Sequence, residues 1–157
     1  MIQRIQSVYM LLSVAACVVC LASPVGMFTA ETGPVADLYN LWLSVANGST
    51  GDVVHKLTPW VAGFALLAFA ATFTLLNIFI YNRRTLQMRT LLWCVLVLVG
   101  YYIVEAVFVW RLCDEHDFRF RTTVFAALPF VSLVLDLLAL RAVRKDDNLV
   151  KSLDRLR

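Results

Sequence analysis

Four apolar stretches, at about residues 5–22, 59–80, 91–110 and 124–140, decide what this chain can fold into. Each holds roughly 17–22 residues, close to the ~20 that a helix rising 1.5 Å per residue needs to cross a bilayer. Backbone N–H and C=O groups find no water in lipid, so a segment of this length satisfies them internally as a helix. The expected fold is an all-α membrane protein, a four-transmembrane-helix bundle that takes residues 1–157 as one domain. Composition agrees: 61% of residues are hydrophobic, 16% are charged and mean hydropathy is +0.75, which leaves no material for a separate soluble domain.

The first stretch must be weighed against a signal peptide. Val14, Ala15 and Ala16 before Cys17 fit the small-residue pattern of a lipidated cysteine. The apolar run continues through Val18, Val19, Cys20 and Leu21, however, and no Ala-x-Ala site follows, so a retained span is expected.

Basic residues set the orientation. Arg4, Arg83, Arg84, Arg89, Arg141, Arg144, Lys145, Lys151, Arg155 and Arg157 fall on one side, while Lys56, Arg111, Arg119 and Arg121 fall on the other. The positive-inside rule places the ten in the cytoplasm together with both termini, as an even number of spans requires. Trp60 and Trp110 at the outer ends, with Tyr81 and Trp93 at the inner ends, fit an interfacial belt.

The longer first outer loop, residues 23–56, is broken by Pro24, Gly26, Gly33 and Pro34 and by the turn-rich 47–52 segment. Residues 36–45 fit a short strand or an amphipathic helix, and a short β-hairpin is expected, with pairing around 28–30 and 41–46. In the second outer loop Cys113, Asp114, Glu115, His116 and Asp117 are able ligands, but consecutive positions point apart and show no paired spacing. A solvated, salt-bridged connection is expected there, with no metal and no cofactor.

Inside the spans, Glu105 and Asp136 are the ionisable residues, and such groups mark functional positions by default. Counting 1.5 Å per residue puts them ~10 Å apart in depth. Asn77 matches the depth of Asp136, whereas Tyr101, Tyr102 and the outer-loop arginines are within reach of Glu105. One reading is a proton or ion path through a small oligomeric transporter, and the other is interhelical hydrogen bonding. Gly63, Ala65, Ala68 and Thr72 suggest a close-packing face, and Pro129 a bend in span four.

Cys17 and Cys20 admit a third reading. Membrane thiol oxidases are four-helix proteins with a Cys-x-x-Cys near the outer surface, and Cys113 lies where they carry a second pair. That loop holds a single cysteine, and apolar burial makes a thiol inert.

Beyond span four, Leu149, Val150, Leu153 and Leu156 recur at helical spacing in a basic 141–157 tail. The segments MIQRIQ (1–6), NRRTLQMR (82–89) and RKDDNLVKSLDRLR (144–157) resemble an uncharacterised four-helix membrane family of Bacteroidota, domain of unknown function 4293. The resemblance implies a multi-pass protein of the bacterial inner membrane and supplies no catalytic residue. The expectation is a non-enzymatic scaffold or accessory subunit whose cytoplasmic bases (Arg83, Arg84, Arg89, Arg144, Lys145, Lys151, Arg155 and Arg157) meet a protein partner. A homo-oligomer and contact with the lipid bilayer are compatible with this, and nucleic acid is not expected.

Overall fold

A computed structural model of the chain describes residues 2–30, 33–46, 53–57, 61–80, 83–116 and 119–154. Among them run four α-helices, α1 (Ile2–Ala22), α2 (Val61–Phe79), α3 (Arg84–His116) and α4 (Leu128–Asp154). All four are long and apolar enough to cross a membrane. Five strands lie between them: β1 (Pro24–Ala30), β2 (Gly33–Tyr39), β3 (Trp42–Ala46), β4 (Val53–Leu57) and β5 (Arg119–Thr122).

The helices form a closed ring in which α1 packs on α2 and α4, and α3 packs on the same two. Their buried residues recur at alternating steps of four and three: Gln6, Met10, Ser13, Cys17 and Cys20 on α1, and Gly63, Leu67, Ala70, Thr74 and Asn77 on α2. Gln87, Leu91, Cys94, Leu98, Tyr101 and Glu105 continue the pattern on α3, as do Ser132, Asp136, Ala139 and Val143 on α4. A step averaging 3.5 residues keeps one seam facing inward along a gently supercoiled bundle. The large apolar side chains between these positions, such as Leu11, Val18, Phe69, Leu96 and Ile103, are exposed. Such a surface suits lipid and would be insoluble in water.

The close-packing face expected on α2 is rotated. Gly63 is buried, but Ala65 and Thr72 are exposed, and the Thr72 hydroxyl bonds back to the Ala68 carbonyl. Pro129 does not bend a span; it sits at the second position of α4, behind a 3-10 turn at Val124–Ala127. Its missing N–H is harmless there, because the first turn of a helix has no internal acceptor for it.

The third helix exceeds its expected span at both ends. At 1.5 Å per residue its 33 residues reach about 50 Å, against a hydrocarbon core of ~30 Å. Exposed Trp93 and Trp110 bracket an outward stripe of Leu96, Val99, Ile103 and Val107, about 26 Å apart along the axis. Rings at that separation suit the two interfaces of a bilayer. Trp60 and Tyr81 lie outside the described residues.

The hairpin expectation is corrected by a larger structure. The strands form one antiparallel sheet in the order β4-β3-β2-β1-β5. Residues 28–30 and 42–46 do not pair with each other; both pair with β2, as in Phe28 opposite Ala36 and Val45 opposite Ala36. The connection between α3 and α4 is not a free loop, because β5 adds to β1 with Phe28 opposite Phe120. Their rings meet at 5.1 Å, and a Cβ on Gly26 would collide with the Phe120 ring. Val25, Phe28, Ala36 and Leu38 share one core cluster with Cys17, Cys20, Leu67, Leu98 and Tyr101, so the sheet caps one end of the bundle.

Candidate functional site

Polar and charged side chains are buried at three levels of the bundle, and the residues flanking them decide what each level can do.

At the end opposite the sheet, Asn77 does not serve Asp136 as expected. Its Nδ2 donates to the Gln87 carbonyl at 3.2 Å, and Gln87 Nε2 donates to the Asn77 carbonyl at 3.4 Å. The second bond joins the Ile80 N–H on a carbonyl of the last turn of α2, where helical donors run out, and together the pair fixes the short turn into α3. Arg84, also a candidate contact residue, is occupied. Its guanidinium meets the Asp146 carboxylate at 3.2 Å and the Asp146 carbonyl at 3.2 Å, tying α3 to α4.

Arg83 and Arg89 are exposed, as are Arg144 and Lys145. The latter two join Arg141 and Asn148 around a shallow groove of about 440 Å³ on α4. Arg141 belongs with them because residues three and four apart share a helix face, a spacing visible in the sequence. Lys151 is described only as helix backbone, and Arg155 and Arg157 lie outside the described residues.

One level further in, a polar layer divides the core. An apolar cluster of Met10, Leu91, Ala139, Leu140 and Val143 lies on one side, and the cluster beneath the sheet lies on the other. Between them the Ser13 and Ser132 hydroxyls bond at 2.6 Å, and Cys17 Sγ meets Ser132 Oγ at 3.1 Å, joining α1 to α4. Asp136 belongs to this layer, is 1% exposed, and has no hydrogen-bond partner for either carboxyl oxygen. Ser13 and Thr74 lie beside it without closing a bond, and Cys17 and Cys94 are within reach of its charge. An unpaired charge so placed is costly, so the layer calls for a positive partner, a proton or a small cation.

Near the sheet, Asn40 enters the bundle from the β2–β3 turn. Its Nδ2 donates to the Cys20 carbonyl at 2.9 Å, and the Tyr101 hydroxyl donates to its Oδ1 at 2.8 Å. The Cys20 carbonyl lies in the last turn of α1, where helical donors run out, and it accepts the Ser23 N–H at 3.3 Å besides Asn40, which thus caps the helix from another element. Sequence reasoning missed it, and its only signal was a lone amide among Tyr39, Leu41 and Trp42. The Tyr102 hydroxyl donates to the Ala126 carbonyl at 2.8 Å, holding the 3-10 turn against α3.

Glu105 lies at this level. Neither tyrosine bonds it, and Arg111, Arg119 and Arg121 are exposed, so the partners expected for it are engaged elsewhere or turned away. Cys17 and Cys20 are free thiols with different neighbours, Ser132 and Asn40, and Cys113 is half-buried, lining with Glu105 a groove at the sheet end of α3. Asp114 is exposed, and the side chains of Glu115, His116 and Asp117 lie outside the described ones.

Four helices long and apolar enough to span a bilayer, with an apolar exterior and a polar seam inside, are the features of a multi-pass membrane protein. Residues 2–156 match the family described as a domain of unknown function, DUF4293, and the chain belongs to that family. Comparison with curated proteins finds no match.

Proposed function

We propose that this protein is a non-enzymatic adaptor of the bacterial inner membrane, with both termini in the cytoplasm, that holds a protein with an acidic surface. The observation that supports the reading is the α4 face of Arg141, Arg144, Lys145 and Asn148, exposed around one groove where the helix continues past its apolar stretch. Asp146, on the same stretch, is drawn off by Arg84, which leaves the face basic. Arg83 and Arg89 add exposed charge at the same end. Complementary charge of this kind steers encounter and fixes orientation more than it sets affinity.

A photocrosslinking residue at Asn148 in native membranes tests this. Protein adducts are expected, and they should vanish when Arg141, Arg144 and Lys145 are reversed to Glu while insertion is kept. Adducts to lipid alone would sink the reading. Orientation is checked separately: a cysteine at Asn148 should react with an impermeant maleimide only when the inner face is open.

A second reading, a proton or ion path in an oligomer, draws support from the unpartnered Asp136 oxygens. Flux through proteoliposomes that is lost in Asp136→Asn, with the bundle intact, would favour it over the adaptor.

A further inference from the structure

A groove of about 820 Å³ opens along the sheet end of α3, walled by Tyr102, Glu105, Val109, Trp110, Phe120 and Phe130. The volume falls within the range of small-molecule sites. It arises where the outer turns of α3, strand β5 and the start of α4 meet around the small residues Ala106, Ala126 and Ala127. Four of the six wall residues are aromatic, and Trp110 is 75% exposed at the rim. Glu105 is the carboxyl-bearing residue of the wall. It is 7% exposed, and it makes no hydrogen bond or ion pair among the described residues.

The surroundings restrict what can sit there. From α3 itself, Tyr101 and Tyr102 direct their hydroxyls to Asn40 and Ala126. Among the described residues, the cations of the neighbouring segments, Arg111, Arg119 and Arg121, are exposed and form no ion pair with the carboxyl. An apolar occupant such as a lipid tail would fill the walls yet leave a carboxyl buried against hydrocarbon, the costly outcome for a polar group. A hydrated metal ion would meet one carboxyl and the threonines Thr122 and Thr123 in an otherwise largely apolar lining, a poor oxygen cage. A molecule with an apolar body and a single ammonium head satisfies both parts. Its head pairs with Glu105, and aromatic faces within about 6 Å of an ammonium add attraction.

We infer that this groove is a binding site for a lipophilic amine, with Glu105 as the anchor of its ammonium group. The site is separate from the basic face of α4, at the opposite end of the bundle, and does not rest on the adaptor reading.

The full chain in nanodiscs is photolabelled with a diazirine-bearing dodecylamine, beside the matching diazirine-bearing dodecanol. Labelled peptides are then mapped by mass spectrometry. The amine should label the α3 and β5 walls, and unlabelled dodecylamine should compete. Glu105→Gln should weaken that labelling at least tenfold, Asp136→Asn should leave it unchanged, and the alcohol should label weakly. Ala127→Leu, which narrows the groove from the other wall and keeps Glu105, should also suppress labelling. This second variant keeps the test decisive if Glu105→Gln folds poorly. Equal labelling by alcohol and amine would mark a lipid-tail crevice and overturn the proposal. So would undiminished labelling of Glu105→Gln, or no labelling of these walls at all.

Discussion

Asp136 and Glu105 are carboxyl side chains on the same kind of inward seam, three and a half residues per step, and both lack a partner among the described residues. They differ in what lies beyond the carboxyl. Asp136 is enclosed by Ser13, Cys17, Thr74, Cys94 and Ser132, one or two groups from each of the helices around it. Glu105 faces a groove large enough for a ligand. An inward acid in a membrane helix is thus one signal with two outcomes. A sealed acid can exchange only something as small as a proton or a bare cation, whereas an open one can anchor a molecule.

Substitutions can break this contrast, and the largest effect is expected at the sealed site. Asp136→Leu should stabilise the bundle by about 1–4 kcal/mol, because an unpaired buried acid is replaced by an apolar side chain. Unfolding in mixed micelles with rising dodecyl sulfate reads this out, and Asp136→Asn, nearly the same size, guards against a steric loss. Destabilisation by both would mean that the carboxyl is structurally paired, and the contrast would collapse.

Next comes the cap at the end of α1. Asn40→Ala removes the amide donor to the Cys20 carbonyl, which keeps the Ser23 N–H, and the acceptor of the Tyr101 hydroxyl bond, for a loss of about 2 kcal/mol. In a double-mutant cycle, Tyr101→Phe should be far milder in the Asn40→Ala background, and strict additivity would argue against the bond. Ser132→Ala should cost less, about 0.6–1.7 kcal/mol for an interhelical hydrogen bond in a membrane. It should also increase the reactivity of Cys17 towards a small permeant maleimide, since its neighbour is removed. Smallest of all, Glu105→Gln should move stability by less than about 1 kcal/mol, because no bond is lost. A larger drop would show that Glu105 holds the fold and does not await a ligand.

The spans were legible because a bilayer demands a minimum apolar length, and length is read directly from residues. The inward faces were not. Lipid and core are both apolar, so Leu96 and Leu98 look alike in the sequence although one is exposed and the other buried. Only small and polar residues mark the seam, and choosing Ala65 and Thr72 in place of Ala70 and Thr74 rotated the face of α2. The sheet was half visible. Strand-forming segments could be recognised around residues 28–30 and 41–46, but the second partner of β1, β5, lies in a different loop, brought close only by the bundle. Within the site, an acid's presence was readable, whereas the groove beside Glu105 is a property of how β5 and α4 approach α3.

The pairing of β1 with β5 also sets an order of events in time. Thr29 bonds the carbonyl of Arg119, 90 residues further along the chain. Strands β1 to β4 precede α2, so they can pair while the rest is still being made, and β1 then presents a bare edge. That edge stays open until two more helices are inserted and residues 119–122 cross behind them. Unpaired edges invite wrong partners, and Gly26, with room for the ring of Phe120 where a side chain would stand, keeps the place free for the last strand to arrive. Completion of the sheet therefore reports that the third helix has been threaded, so protection of the amides in the β1–β5 ladder from exchange should appear last in assembly.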